Sequence, residues 1–315
     1  MLSDVLLLIL VTISIHLFLK SIDKEIERGQ RLSSFLAVCL LLPSIIAFYN
    51  NYSFLDLALF LVLLFFSFSL SLLILLLKLL VARINVSRAS QRIAQYLTSV
   101  LYSEDYWEFF RKSFHGVVLL LLIPPYLLWS FYLSYSIVIK VLVGTDLPID
   151  YHNFLKYLVI IFSGALAIYF YMLETARVHF GIRIFPKKLL RTREERTFAT
   201  YFYTALSIFF VAIFFPQDVI IKGIISSLIY DSSAAIFGKS FGKHKILEDR
   251  TLEGFLAGSL SAIIVLAYLS TDFLLIFLVI TALTLADLAN SKVGIDDNLL
   301  FPVLTTTILY IGGGG

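Results

Sequence analysis

Asp231 is an acid set within apolar sequence. It follows DVIIKGIISSLIY and opens the stretch DSSAAIFGKSFGKHKILEDRTLEG, residues 231–254. Asp231, Ala234 or Ala235, Gly238 and Gly242 recur every three or four residues. On a continuing helix they share one face, an acid followed by small residues that admit close approach. Lys239, Lys243, His244, Lys245 and Arg250 then bring cationic donors beside that face. Positive charge and exposed backbone N–H groups suit polyphosphate, and the acid suits a bridging magnesium ion. A helix-packing face followed by ordinary basic loop residues accounts for the same stretch. Other polar residues stand at the ends of apolar runs: Arg111, Lys112 and His115; Glu174 and Arg177; Glu253; Asp287; and Asp296, Asp297 and Asn298. A carboxylate inside hydrocarbon is costly, so it faces a cavity or a partner. Several such groups near one membrane face point to a polar site opening there.

The elements that position these residues follow from hydropathy. The chain has 315 residues, 59% of them apolar and only 15% charged, with a mean hydropathy of +0.92. A soluble domain cannot hide that much apolar surface, which makes bilayer lipid the natural solvent. Apolar runs fall at 5–19, 34–49, 54–77, 114–132, 153–173, 199–215, 219–238, 253–269, 273–290 and 300–312. The expected fold is therefore an all-α polytopic membrane protein with about ten transmembrane helices, the last one short for a span. The first run is expected to be a retained span rather than a cleaved leader. Pro124 and Pro125 predict a kink in the fourth. The organisation expected is residues 1–81 as N-terminal helices, 82–112 as a surface segment, amphipathic or packed on loops, and 113–312 as the helices that carry the site. All belong to one structural domain.

Lys and Arg set the orientation. KSIDKEIERGQR carries four, the segment from Lys78 to Lys112 six, ARVHFGIRIFPKKLLRTREER seven and KSFGKHKILEDR four. The alternate connections NNYS, GTDLPIDYHN and PQD carry none. Both termini are expected outside, with the basic loops and the site at the cytoplasmic face. In the dense FPKKLLRTREERTFATY stretch, Arg191, Arg193 and Arg196 are candidates for phosphate. Attraction to anionic lipid accounts equally for them and better for Lys187 and Lys188. The single cysteine, Cys39, rules out an intrachain disulfide. His16, His152 and His179 lack partners at metal-ligand spacing, no GxxxxGK[ST] loop is present, and nothing points to a nucleic-acid polymer.

The order D-x-x-A-x-x-x-G-x-x-x-G then T-x-E-G, here Asp231, Ala234, Gly238, Gly242, Thr251, Glu253 and Gly254, resembles the nucleotide signature of the CTP-dependent polyprenol and dolichol kinase family. Phytol kinases and yeast-type diacylglycerol kinases are its relatives. RKSFH, Arg111 to His115, is similar to an earlier element of that family, and IDDNLLFP, Ile295 to Pro302, to a later one. Together they span 111–302. Asp249-Arg250 stands where the family has a basic pair, and Asp287 where it often has a glutamate.

The resemblance implies transfer of the γ-phosphoryl group of CTP to a long isoprenoid alcohol, with Mg2+ as cofactor. Asp231, Asp297 and Asp287 would be metal-associated acids, and Asp231, Asp297 and His115 the catalytic groups. Arg111, Lys112, Lys239, Lys243 and Arg250 would hold phosphates. Gly238, Gly242, Thr251, Glu253, Gly254 and Asn298 would complete the nucleotide site. A lipid-phosphate cytidylyltransferase making CDP-diacylglycerol or CDP-archaeol would use the same CTP, magnesium and acids. A transporter would instead gather polar residues at the midplane between repeats, and no repeat is visible.

Overall fold

A computed structural model describes residues 2–23, 26–51, 112, 151–180, 194, 198–247, 250–269 and 271–313. The runs expected at 54–77 and 114–132, the surface segment 82–111, Arg111, His115 and the Arg191, Arg193 and Arg196 group lie outside the described residues. The other eight expected runs are all helices: α1 Leu2–Ile22, α2 Arg28–Asn51, α3 Tyr151–Phe180, α4 Thr200–Phe214, α5 Gln217–Phe241, α6 Leu252–Tyr268, α7 Phe273–Val293 and α8 Asp297–Ile311. Their bounds differ from the apolar runs by several residues: polar residues carry α2, α3 and α5 beyond their apolar parts, while α4 stops inside its run at both ends.

Two expectations need correction. Among the described residues, four helices, not all eight, are long and apolar enough to cross a membrane: Arg28–Phe48, Lys156–Val178, Gln217–Phe241 and Phe273–Val293. Ile9–Ile22 within α1, Thr200–Phe214, Leu252–Tyr268 and Asp297–Ile311 are shorter. Fifteen residues in α8 reach about 22 Å at ~1.5 Å per residue, less than a hydrocarbon layer of about 30 Å. The chain is also not purely helical. Lys245–Leu247 (β1) and Arg250–Thr251 (β2) form an antiparallel ribbon between α5 and α6. Three and two residues are too few for a period-2 signal to show in the sequence.

The helices alternate in direction, and close packing fixes their register. Gly223 near the start of α5 meets Thr306 near the end of α8, where an added Cβ would come within 2.0 Å of the threonine oxygen. Phe215 after α4 packs edge-on against Tyr310, ring centroids 5.4 Å apart. At the other end, the Asp296 backbone N–H donates to Ser33 Oγ of α2 (2.8 Å). One buried cluster joins α1 to α5, reaching Ile220, Ile224 and Leu228, and takes in Leu299 of α8. A second joins α5 to α8 around Tyr230, Val279, Leu283 and Phe301. Outward, α6 exposes Leu256, Leu260 and Ile264, and α7 exposes Phe273, Leu274 and Phe277. A continuous apolar surface of this kind suits acyl chains rather than water.

Candidate functional site

The acids meet where short connections turn the chain at one end of the bundle. α7 closes on Gly294, whose φ of 75° is the left-handed conformation and whose N–H donates to Asn290 O. Two residues later Asp296 caps α8, its side chain accepting from the Asn298 N–H at 3.0 Å. This brief turn sets Asp287 and Asn290, on the last turns of α7, against Asp297 and Asn298 on the first turn of α8. Thr251 caps α6 in the same way, accepting from the Gly254 N–H at 3.2 Å. Strand β2 therefore delivers Arg250 to that end of the bundle.

Arg250 Nη2 lies 2.7 Å from Asp287 Oδ1 and 3.1 Å from Asp297 Oδ2. Asn290 Nδ2 donates to Asp297 Oδ1 at 2.9 Å. Asp231, ten residues before the end of α5, is ion-paired with Lys112, and both are buried. The charges of Asp231 and Lys112 also act on Asp287, so the two ion-paired groups lie near one another at this end. Among the described residues, two cations, Lys112 and Arg250, face three carboxylates here.

The glycines of the signature have a different local role. An added Cβ on Gly238 would meet Thr251 Oγ1 at 3.1 Å, and one on Gly254 would meet Ala234 O at 2.7 Å. On Gly242 it would come within 2.6 Å of the Thr251 side chain. The close approach these residues permit is made by the chain itself, α6 against α5. Helix packing, the plainer of the two sequence explanations, accounts for this face. Lys239, Lys243 and His244 are exposed beyond it. Glu253 binds His244 Nδ1 at 2.6 Å and so ties the start of α6 to the start of the ribbon.

Glu174 and Arg177 belong to a separate buried network. Arg177 Nη2 donates to Glu174 Oε2 at 2.6 Å and to the Glu194 backbone carbonyl at 2.9 Å. Glu174 also accepts from the Ala199 N–H at 2.9 Å and from the Tyr201 hydroxyl. The Thr200 hydroxyl lies 2.7 Å from Glu194 Oε1 and 3.0 Å from Asp296 Oδ2. These contacts hold the entry to α4 against the α8 cap. Their role is to fix the helix ends on which Asp297 and Asn298 stand.

Sequence reasoning missed Asn290 and Thr200, and it placed Lys112 with phosphate rather than with Asp231. Asn290 lay within reach, three residues after Asp287 on the same helix face. The Lys112–Asp231 pair bridges 119 positions, and no local pattern announces it. The Asn298 side-chain oxygen is buried without a hydrogen-bond partner, while its Nδ2 donates to Asp296 Oδ1 at 3.2 Å. Among the described residues, no three His, Cys, Asp or Glu side chains converge to hold a metal ion by themselves. Compared with models of known families, with curated proteins and with solved structures, the chain gives no match.

Proposed function

We propose that this chain is a CTP-dependent lipid kinase that phosphorylates a long-chain isoprenoid alcohol at the cytoplasmic membrane face. The observation that carries the reading is that two ion-paired groups, Lys112 with Asp231 and Arg250 with Asp287 and Asp297, lie at one end of an apolar helical bundle. They come from three distant stretches of sequence, each the seat of one motif of the resemblance. The orientation is supported by charge. Among the described residues, Lys156 and Lys222 are the only lysines or arginines in the opposite half of the bundle, as expected if the site end is cytoplasmic.

The donor set fits magnesium, which is commonly held by one or two carboxylates together with substrate phosphates. Asp287 and Asp297 already aim one oxygen each at a single cationic nitrogen of Arg250. They would hold the ion together with the nucleotide phosphates, whose charge it would neutralise, and Asp231, paired with Lys112, would act beside them. In the reaction, the acceptor hydroxyl oxygen bonds to the γ-phosphorus and the bridging P–O bond to CDP breaks. The hydroxyl proton passes to His115 or Asp231. Lys112, Arg111 and Arg250 offer positive charge to the phosphates, and the work is mainly positioning and electrostatic stabilisation. The apolar helix faces keep the acceptor's chain in the bilayer.

The test uses purified protein with magnesium and CTP labelled at the γ- or the α-phosphate. Acceptor lipids are a polyprenol and diacylglycerol pool, with phosphatidate and prenyl phosphate in parallel. Label reaching lipid from the γ position alone is expected. Label from the α position would mean cytidylyl transfer and overturn the proposal.

A further inference from the structure

Helix α5 has 25 residues, about 37 Å at ~1.5 Å per residue, against a hydrocarbon layer of about 30 Å. With Pro216 and Gln217 at one boundary, the last turn of α5 and the ribbon after it fall in the headgroup layer at the site end. There the chain turns apolar and cationic groups outward together. Phe237 and Phe241 stand one turn apart, 47% and 62% exposed, with ring centroids 5.6 Å apart. Ile246 of β1 is 46% exposed. Lys239, Lys243 and Lys245 are exposed among them. The segment Lys243–Lys245 contains no acid of its own; Glu253 binds His244 within it, and Arg250 nearby is turned inward to Asp287 and Asp297.

We propose that the end of α5 and strand β1 form a binding surface for anionic phospholipid. Phe237, Phe241 and Ile246 enter the acyl–headgroup boundary, and Lys243 and Lys245 meet lipid phosphodiesters. Exposed rings cost free energy in water and gain it at that depth, while each lysine adds attraction to an anionic leaflet. This assignment places Lys243 outside the nucleotide site, and it holds whichever reaction the acids perform. Because β2 carries Arg250, the lipid-bound ribbon is joined directly to the acid cluster.

The experiment places an environment-sensitive fluorophore on Ile246→Cys in a Cys39→Ser background, in full-length protein in nanodiscs. Discs of phosphatidylcholine are compared with discs containing one quarter phosphatidylglycerol. Quenching by a shallow spin-labelled lipid is read against quenching by iodide in the water, and Ile264→Cys on the outer face of α6 supplies the hydrocarbon reference. The expected result is lipid quenching at Ile246 that rises at least about threefold with phosphatidylglycerol and is lost in Lys243→Gln/Lys245→Gln. Equal iodide quenching in both discs overturns the proposal. So does a response to magnesium and CTP alone in neutral discs, which would make the ribbon a cover for nucleotide.

Discussion

Asp231 and Lys112 are each other's buried counter-charge, so changing either alone has two consequences. Asp231→Asn leaves a buried ammonium without its anion, at a cost of about 3–5 kcal/mol. It also removes an acid from the cluster, and lipid phosphorylation is expected to fall at least about 100-fold. The two effects separate in Lys112→Met/Asp231→Leu, which should regain the wild-type melting temperature in detergent while remaining inactive. Recovery of turnover in that double variant would reduce the pair to a packing device. Asn290 has a subtler part, donating to Asp297 Oδ1 while Arg250 takes Oδ2. As a positioning residue it should act on ion affinity. Asn290→Ala is expected to raise the magnesium concentration for half-maximal activity roughly tenfold. A fall in turnover at unchanged magnesium dependence would exclude that role. At this scale the residue types were legible in the sequence and their partners were not. An acid in an apolar run declares that it needs a counter-charge, but only the tertiary fold says that Lys112 supplies it.

At the scale of elements, α5 and α6 are held together by what they lack. Ala234, Gly238, Gly254 and Gly258 let the two helices approach so closely that a Cβ on Gly254 would sit 2.7 Å from the Ala234 carbonyl and 3.1 Å from Gly238 Cα. Those neighbours are backbone and cannot swing aside. Gly254→Ala is therefore expected to cost about 1–3 kcal/mol and to lower the melting temperature by several degrees. At Gly238 the nearest atom is the Thr251 hydroxyl at 3.1 Å, with backbone only at 3.5 Å, so Gly238→Ala should be milder. A thermal-shift series in detergent checks that order. If both variants melted like the parent, helix packing would be the wrong account of the glycines. The helices themselves were readable because lipid-facing and buried positions are both apolar, so whole runs stand out. The same uniformity hides which face is which. The spacing Asp231, Ala234, Gly238, Gly242 correctly placed small residues on one face but could not say whether a ligand or α6 would approach it.

For the whole molecule, the charge distribution turns a local site into a statement about sides of a membrane. Lys239, Lys243, Lys245, Arg250 and Lys292 lie at the end that holds the acids, as do Lys20, Arg28 and Arg31 at the α1–α2 turn. The opposite end has Asp218 and Asp272, with Lys156 and Lys222 set back within the first two turns of α3 and α5. Cations resist translocation, so the acid cluster should face the compartment where CTP is made. Single cysteines in a Cys39→Ser background test this, because Asp218 on the first turn of α5 and Lys243 just beyond its last turn are both exposed. Lys243→Cys is expected to react with a membrane-impermeant maleimide only after the cells are opened. Asp218→Cys should react in intact cells. The reverse pattern would put Asp231, Asp287 and Asp297 on the outer side, away from any nucleoside triphosphate, and a CTP-dependent reaction would then be excluded whatever the acids bind.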